Sequence, residues 1–213
     1  MRPTQGNIYL VALDPSLGTG GDPAAIQVYE AKTNRQVAEW THNKTVIENQ
    51  VKILQEITKY LTAITKNPND VYYTVENNTI GEAILVAIRD IGEENISGIF
   101  LSEPIKMGQS RKFRKGFCTT NSSKLMACSK LKTLIESGKI QINSKKLISE
   151  LKSYISSGST YKAKIGETDD LVSATLCIIR MMELLKDYIL DITTTIDFKN
   201  ENMMPLPFIM VIG

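Results

Sequence analysis

The spacing of apolar and polar residues divides the chain into short strand-like runs and longer helical ones. Residues 8–13 (Ile-Tyr-Leu-Val-Ala-Leu) are continuously apolar and stop at Asp14-Pro15, the pattern of a buried strand ended by a turn. Residues 17–23 form a Gly-rich turn. Residues 24–29 and 36–41 predict two further strands joined by a hairpin turn at Thr33-Asn34. Ile47, Val51, Leu54, Leu61 and Ile64 then recur at helical spacing behind Thr45 and Glu48, which have the separation of a capping box. Asn67-Pro68-Asn69 ends that helix. Residues 71–75 predict a fourth strand with Glu76 just beyond it, residues 81–91 a second helix, and residues 99–101 a short fifth strand. Residues 106–117 read as a loop and residues 122–137 as a helix stopped by Gly138. Residues 139–142 suit a short strand, residues 147–154 fit either a helix or a strand, and residues 156–160 read as a turn. A long, mostly apolar helix is expected over residues 169–190, followed by a tail, residues 191–213. Antiparallel strands followed by strand–helix crossovers imply one α/β domain, with a core over about residues 7–190, built on a mixed five-stranded sheet with flanking helices.

Composition narrows the class. The chain of 213 residues is 42% hydrophobic and 23% charged, ordinary for a globular protein. No apolar run approaches the roughly 20 residues needed to span a bilayer, and residues 1–6 lack the apolar region of a signal peptide. Cys118, Cys128 and Cys177 form no CxxC pair, and His42 is the one histidine. Disulfide scaffolds and His- or Cys-rich zinc sites are therefore disfavoured. The net charge of +2 conceals a segregation: residues 104–148 carry eleven Lys or Arg against one acid, Glu136. Such a segment suits a polyanion.

The acids are placed where chemistry gathers. Asp14 closes the first strand, Glu76 the fourth, and Asp169-Asp170 opens the last helix. Each alone suits a turn or a helix cap. Together, at strand ends of an open sheet, they would repel one another unless protonated or neutralised by cations. Carboxylate oxygens favour Mg²⁺ or Mn²⁺, and two such ions about 3.5–4 Å apart can clamp a phosphodiester. Asp169 and Asp170 lie about 100° apart on a helix. Asp169 shares its stripe with Ser173, Leu176, Arg180, Glu183 and Asp187. Asp170 heads the more apolar stripe of Ala174, Cys177, Met181, Leu184 and Tyr188. Asp170 is thus the expected ligand with Asp14 and Glu76, and Asp169 the reserve metal candidate or a cap.

The basic loop Arg111-Lys-Phe-Arg-Lys-Gly-Phe117 interleaves charge with aromatics. Arg111, Lys112, Arg114 and Lys115, with Lys124 beyond, suit phosphate neutralisation, and the Phe residues suit stacking on unpaired bases. No base-reading motif is present, so sequence-independent contact with the DNA backbone is expected.

Three segments resemble one family in the order it uses them. Leu10-Val-Ala-Leu-Asp-Pro-Ser-Leu-Gly-Thr-Gly-Gly-Asp22, Tyr72-Tyr-Thr-Val-Glu-Asn-Asn-Thr-Ile-Gly-Glu82 and Gly166-Glu-Thr-Asp-Asp-Leu-Val-Ser-Ala174 resemble the acidic nuclease motifs of the large terminase subunit of tailed bacteriophages, T-even-type phages above all. The resemblance implies a ribonuclease H-like nuclease that cuts concatemeric double-stranded viral DNA during packaging. It places the catalytic acids on Asp14, Glu76 and the Asp169-Asp170 pair, with Asp22 as an outer-shell acid or a loop residue. It also implies work in the cytoplasm of the infected bacterium, beside a terminase ATPase domain, a small terminase subunit and a portal protein. The chain has no Gly-x-x-x-x-Gly-Lys-Ser/Thr phosphate loop, so the nuclease half without its motor is expected. Three readings compete: a Holliday-junction-type nuclease, an actin-like ATPase suggested by the Gly-rich turn, and a DNA-docking module whose acids are structural.

Overall fold

The computed structural model describes residues 2–104, 115–157 and 160–197, with side chains to residue 186. Five strands form the main sheet: β1 (Tyr9–Asp14), β2 (Ala24–Glu30), β3 (Arg35–His42), β4 (Val71–Val75) and β5 (Ile99–Phe100). Their order is β3-β2-β1-β4-β5. β1 is therefore central, antiparallel to β2 and parallel to β4. The helices are α1 (Ile47–Thr65), α2 (Thr79–Ile91), α3 (Asn121–Glu136), α4 (Lys145–Ser153) and α5 (Asp170–Asp197), and a hairpin of β6 (Tyr154–Ser157) and β7 (Thr160–Ala163) precedes α5. This is the mixed five-stranded sheet with flanking helices that the hydrophobic pattern predicts. Among the described residues no helix is long and apolar enough to cross a membrane.

The period-two alternation of the strands sorts the core into two layers. Tyr9, Val11 and Leu13 of β1 and Val71, Tyr73 and Val75 of β4 pack with α1 and α2. Leu10 and Ala12 of β1 face the other way, into a cluster with Leu171, Val172, Ala174, Cys177, Ile178 and Met181 of α5. Each fully buried Leu, Val, Ile or Met contributes about 1.5–3 kcal/mol, so α5 is held along its length by its apolar stripe. Continuing the alternation by one step puts Asp14 on the α5 side. The same count through Tyr72 and Thr74 puts Glu76 there too.

Five local expectations differ. Thr45 and Glu48 do not form a capping box: the N-cap of α1 is Val46, without a side-chain cap, and the Thr45 hydroxyl is instead 2.8 Å from His42 Nδ1. Residues 147–154 are both things in turn, helix through Ser153 and strand from Tyr154. Of the expected turn at 156–160, Ser156 and Ser157 belong to β6 and Thr160 to β7, while residues 158–159 lie outside the described residues, and residues 139–142 make only an isolated bridge, Arg35 to Gln141. α5 runs on to Asp197 rather than stopping at Leu190. Gly138 does end α3, at a φ of 63°.

Candidate active site

β1 and β4 bring the first two acids together through the backbone. Leu13 pairs with Val75 in parallel register, and the Glu76 N–H donates to the Leu13 carbonyl at 2.8 Å. Asp14 and Glu76 thus leave adjacent strands side by side on the same face. On its far side Glu76 bridges Phe117, which is fully buried and lies 4.8 Å from the Arg180 guanidinium. Asp170 is the first residue of α5, whose apolar stripe lies across β1 and β2.

The electrostatics show how closely the acids crowd. The Asp14 carboxyl is raised well above its ordinary 3.8, by loss of hydration first, then by the charge of Glu76 and a hydrogen bond shared with it, then by Asp170 and Asp169. Asp170 is pushed up to about 7 by loss of hydration, then by Glu150, with smaller contributions from Asp169 and Asp22. Like charges in a desolvated cleft cannot all ionise, so Asp14 holds its proton more tightly than a free carboxyl does. Beneath them Cys177 is buried and its thiol is raised well above the ordinary value by that burial and by Glu76. It remains a neutral thiol and forms an apolar floor.

The donor set fits a hard divalent cation: carboxylate oxygens alone, deprived of water and mutually repelling. Among the described residues no three His, Cys, Asp or Glu side chains are already gathered in a metal-holding group.

Residues 11–182 match the family model of the terminase RNase H-like domain. The chain belongs to that family. No curated protein matches its sequence. Among solved structures it is similar to the large terminase nuclease from thermophilic phage G20c with bound magnesium, at 18% identity and a TM-score of 0.59, covering 84% of each chain. It is also similar to the large terminase nuclease domain of Thermus phage P74-26, at 18% identity and a TM-score of 0.56, covering 83% of this chain and 80% of that one. The human cytomegalovirus terminase nuclease domain is similar at 14% identity and a TM-score of 0.58, covering 87% of this chain and 89% of that one. At such identities the likeness is one of fold, the RNase H-like sheet with its flanking helices.

In this terminase domain the remaining predicted residues fall into three groups. Asp169 stands at the head of α5: its carbonyl accepts from Ser173 N at 2.8 Å, and its Oδ2 accepts from Ala163 N at 3.3 Å. One of its oxygens is thus committed to the hairpin. Asp22 is exposed yet near enough to contribute to the field at Asp170. Among the bases, Lys124 lies in the first turn of α3 with its Nζ 5.5 Å from the Tyr154 ring centre, and Tyr154 feels the charges of Asp169 and Glu76. Lys115 pairs with Glu93 and lies over the Phe100 ring, on the α2–β5 side. Arg111, Lys112 and Arg114 lie outside the described residues.

Two contributors were not foreseen. Tyr154, stacked on Tyr161 at 6.0 Å, lies beside the acids on a hairpin whose short strands give little alternation to read. Glu150, only 5% exposed, accepts hydrogen bonds from the first turn of α5. It falls three residues after Leu147 on the buried stripe of α4, a spacing that carries a signal only once residues 147–153 are known to be helical.

Proposed function

We propose that this terminase domain is a Mg²⁺- or Mn²⁺-dependent endonuclease that cuts double-stranded viral DNA during genome packaging. The observation that carries the reading is the convergence of Asp14, Glu76 and Asp170, from three separate segments, at one end of the α5-covered face of the sheet. Asp14, Glu76 and Asp170 would hold the ions, two in number, with Asp169 in reserve and Asp22 as an outer-shell acid. Divalent cations held there supply Lewis-acid stabilisation and an activated water for phosphodiester hydrolysis. The chain's own part is to gather carboxylates in a site of low dielectric and to present bases to the DNA backbone. Arg111, Lys112, Arg114, Lys115 and Lys124 serve that second role. The T-even-type character of the three motifs belongs to this reading. So does work in the host cytoplasm beside a terminase ATPase domain, a small terminase subunit and a portal protein.

Plasmid cleavage with Mg²⁺, Mn²⁺ or EDTA tests it. The parent chain should cut with either ion and not with EDTA, and Asp14→Asn, Glu76→Gln and Asp170→Asn should each abolish cutting. A folded Asp14→Asn chain that cuts as fast as the parent refutes the assignment. Preference for a four-way junction over linear duplex would favour a junction resolvase instead.

A further inference from the structure

Glu150 is a buried acid outside the proposed ligand set. It projects from α4 and uses both oxygens. Oε2 accepts from Leu171 N at 2.9 Å and from Val172 N at 3.2 Å, and Oε1 accepts from the Thr168 hydroxyl at 3.2 Å. The first N–H groups of any helix lack intrahelical partners, and a local Ser, Thr, Asp or Asn side chain normally satisfies them. In α5 the adjacent Asp169 side chain turns to the hairpin instead. The orphan Leu171 and Val172 donors are taken by a carboxylate about twenty residues upstream, on a different helix. Burying a second negative group beside Asp170 is a costly way to cap a helix. It does something a local cap cannot: it ties the first turn of α5 to α4, an element outside the helix that carries Asp170.

We propose that Glu150 is a positioning residue for the active site. By holding the Leu171 and Val172 N–H groups it fixes where the head of α5 sits, and so directs the preceding residue, Asp170, toward Asp14 and Glu76. The role depends on reach and on acceptor oxygens rather than on charge. It rests on the proposed function, in which Asp170 is a metal ligand.

Reach and charge separate cleanly. Glu150→Gln keeps the length and an acceptor oxygen but loses the charge; Glu150→Asp keeps the charge but is one methylene short. Mn²⁺ binding to the full chain, measured by the spin resonance of the free ion, reads metal affinity without catalysis. Hydrogen exchange at the Leu171 and Val172 amides reads the tie itself. Glu150→Gln should bind Mn²⁺ within about threefold of the parent, while Glu150→Asp should weaken it about tenfold or more, the scale of outer-shell effects, and should speed exchange at both amides. Unchanged binding by Glu150→Asp overturns the proposal, and so does a loss in Glu150→Gln as large as in Glu150→Asp. Should Glu150→Asp fail to fold, Glu150→Met, which keeps the length and removes both acceptor oxygens, takes its place. About tenfold weaker binding is expected there, and unchanged binding overturns the proposal. A parent chain that binds no Mn²⁺, or an Asp170→Asn chain that binds it as the parent does, refutes the metal site itself. A parent that binds normally beside an indifferent Glu150→Asp refutes the role of Glu150 alone.

Discussion

Replacing Gly81 with alanine should damage the site without touching a charged group. Gly81 is buried in the first turn of α2. A methyl there would stand 2.1 Å from the carbonyl oxygen of Glu76 and 3.0 Å from its carbonyl carbon. Ordinary non-bonded contact begins near 3.5 Å, so a gap of about 1 Å must open between α2 and the end of β4. In most helical positions Gly→Ala stabilises by about 1 kcal/mol. Forced overpacking against backbone costs about 1–3 kcal/mol, so the sign should reverse to a net loss of about 1 kcal/mol. The part that yields is the Glu76 peptide, and a displacement of about 1 Å in a positioned group costs about 10²-fold in rate. Urea unfolding and plasmid cleavage, run on the same preparation, check both figures. A Gly81→Ala chain that is more stable than the parent and cuts at the parent's rate would refute the claim that α2 abuts the Glu76 backbone.

Three further outcomes follow from the same geometry. Asp170 is raised from 3.8 to about 7, so the folded chain holds that proton more tightly than the unfolded one. Its contribution to stability is whole below pH 3.8 and is lost as pH rises through about 7. With EDTA present, the urea midpoint should therefore be lower at pH 8 than at pH 5, and Mg²⁺ should recover part of the difference; a midpoint that rises with pH contradicts the crowding of acids. Lys124→Ala should weaken duplex binding and reduce the slope of log affinity against log salt by about 1, and an unchanged slope removes Lys124 from the DNA path. Gln50 is fully buried, donates to the Ser16 and Thr45 carbonyls at 2.7 Å, and accepts from Ser16 N at 3.3 Å. Gln50→Ala should cost about 1–3 kcal/mol and slow cutting by loosening the loop behind Asp14, with thermal unfolding and single-turnover cleavage as the readouts.

Much of this site was legible because strands and helices have fixed periods. Counting by two from Leu10 and from Tyr72 reaches Asp14 and Glu76 on one face, and the apolar stripe of α5 separates Asp170 from Asp169. Ala174, Cys177 and Met181 of the Asp170 stripe are buried, and so is Leu176 of the Asp169 stripe. What escaped depends on contacts between distant segments. Thr45 and Glu48 have the spacing of a capping box, yet His42 captures the Thr45 hydroxyl. Glu150 looks like one acid of a Lys-rich helix until its partners, Leu171 and Val172, fold against it. The β6–β7 hairpin is too short for its alternation to stand out, and its registration comes from pairs such as Tyr154 with Ala163.

The parallel pairing of β1 with β4 has a consequence for how such a domain can change over time. The spacing of Asp14 and Glu76 is set by main-chain hydrogen bonds between neighbouring strands, a distance of about 4.8 Å that no side chain determines. The ladder acts as a ruler built from atoms that every residue possesses. Mutational drift can therefore rewrite both core layers, provided apolar volume is roughly kept, and leave the separation of these two acids untouched. A shared architecture at 14–18% identity, from phage to cytomegalovirus domains, is what a ruler of that kind permits.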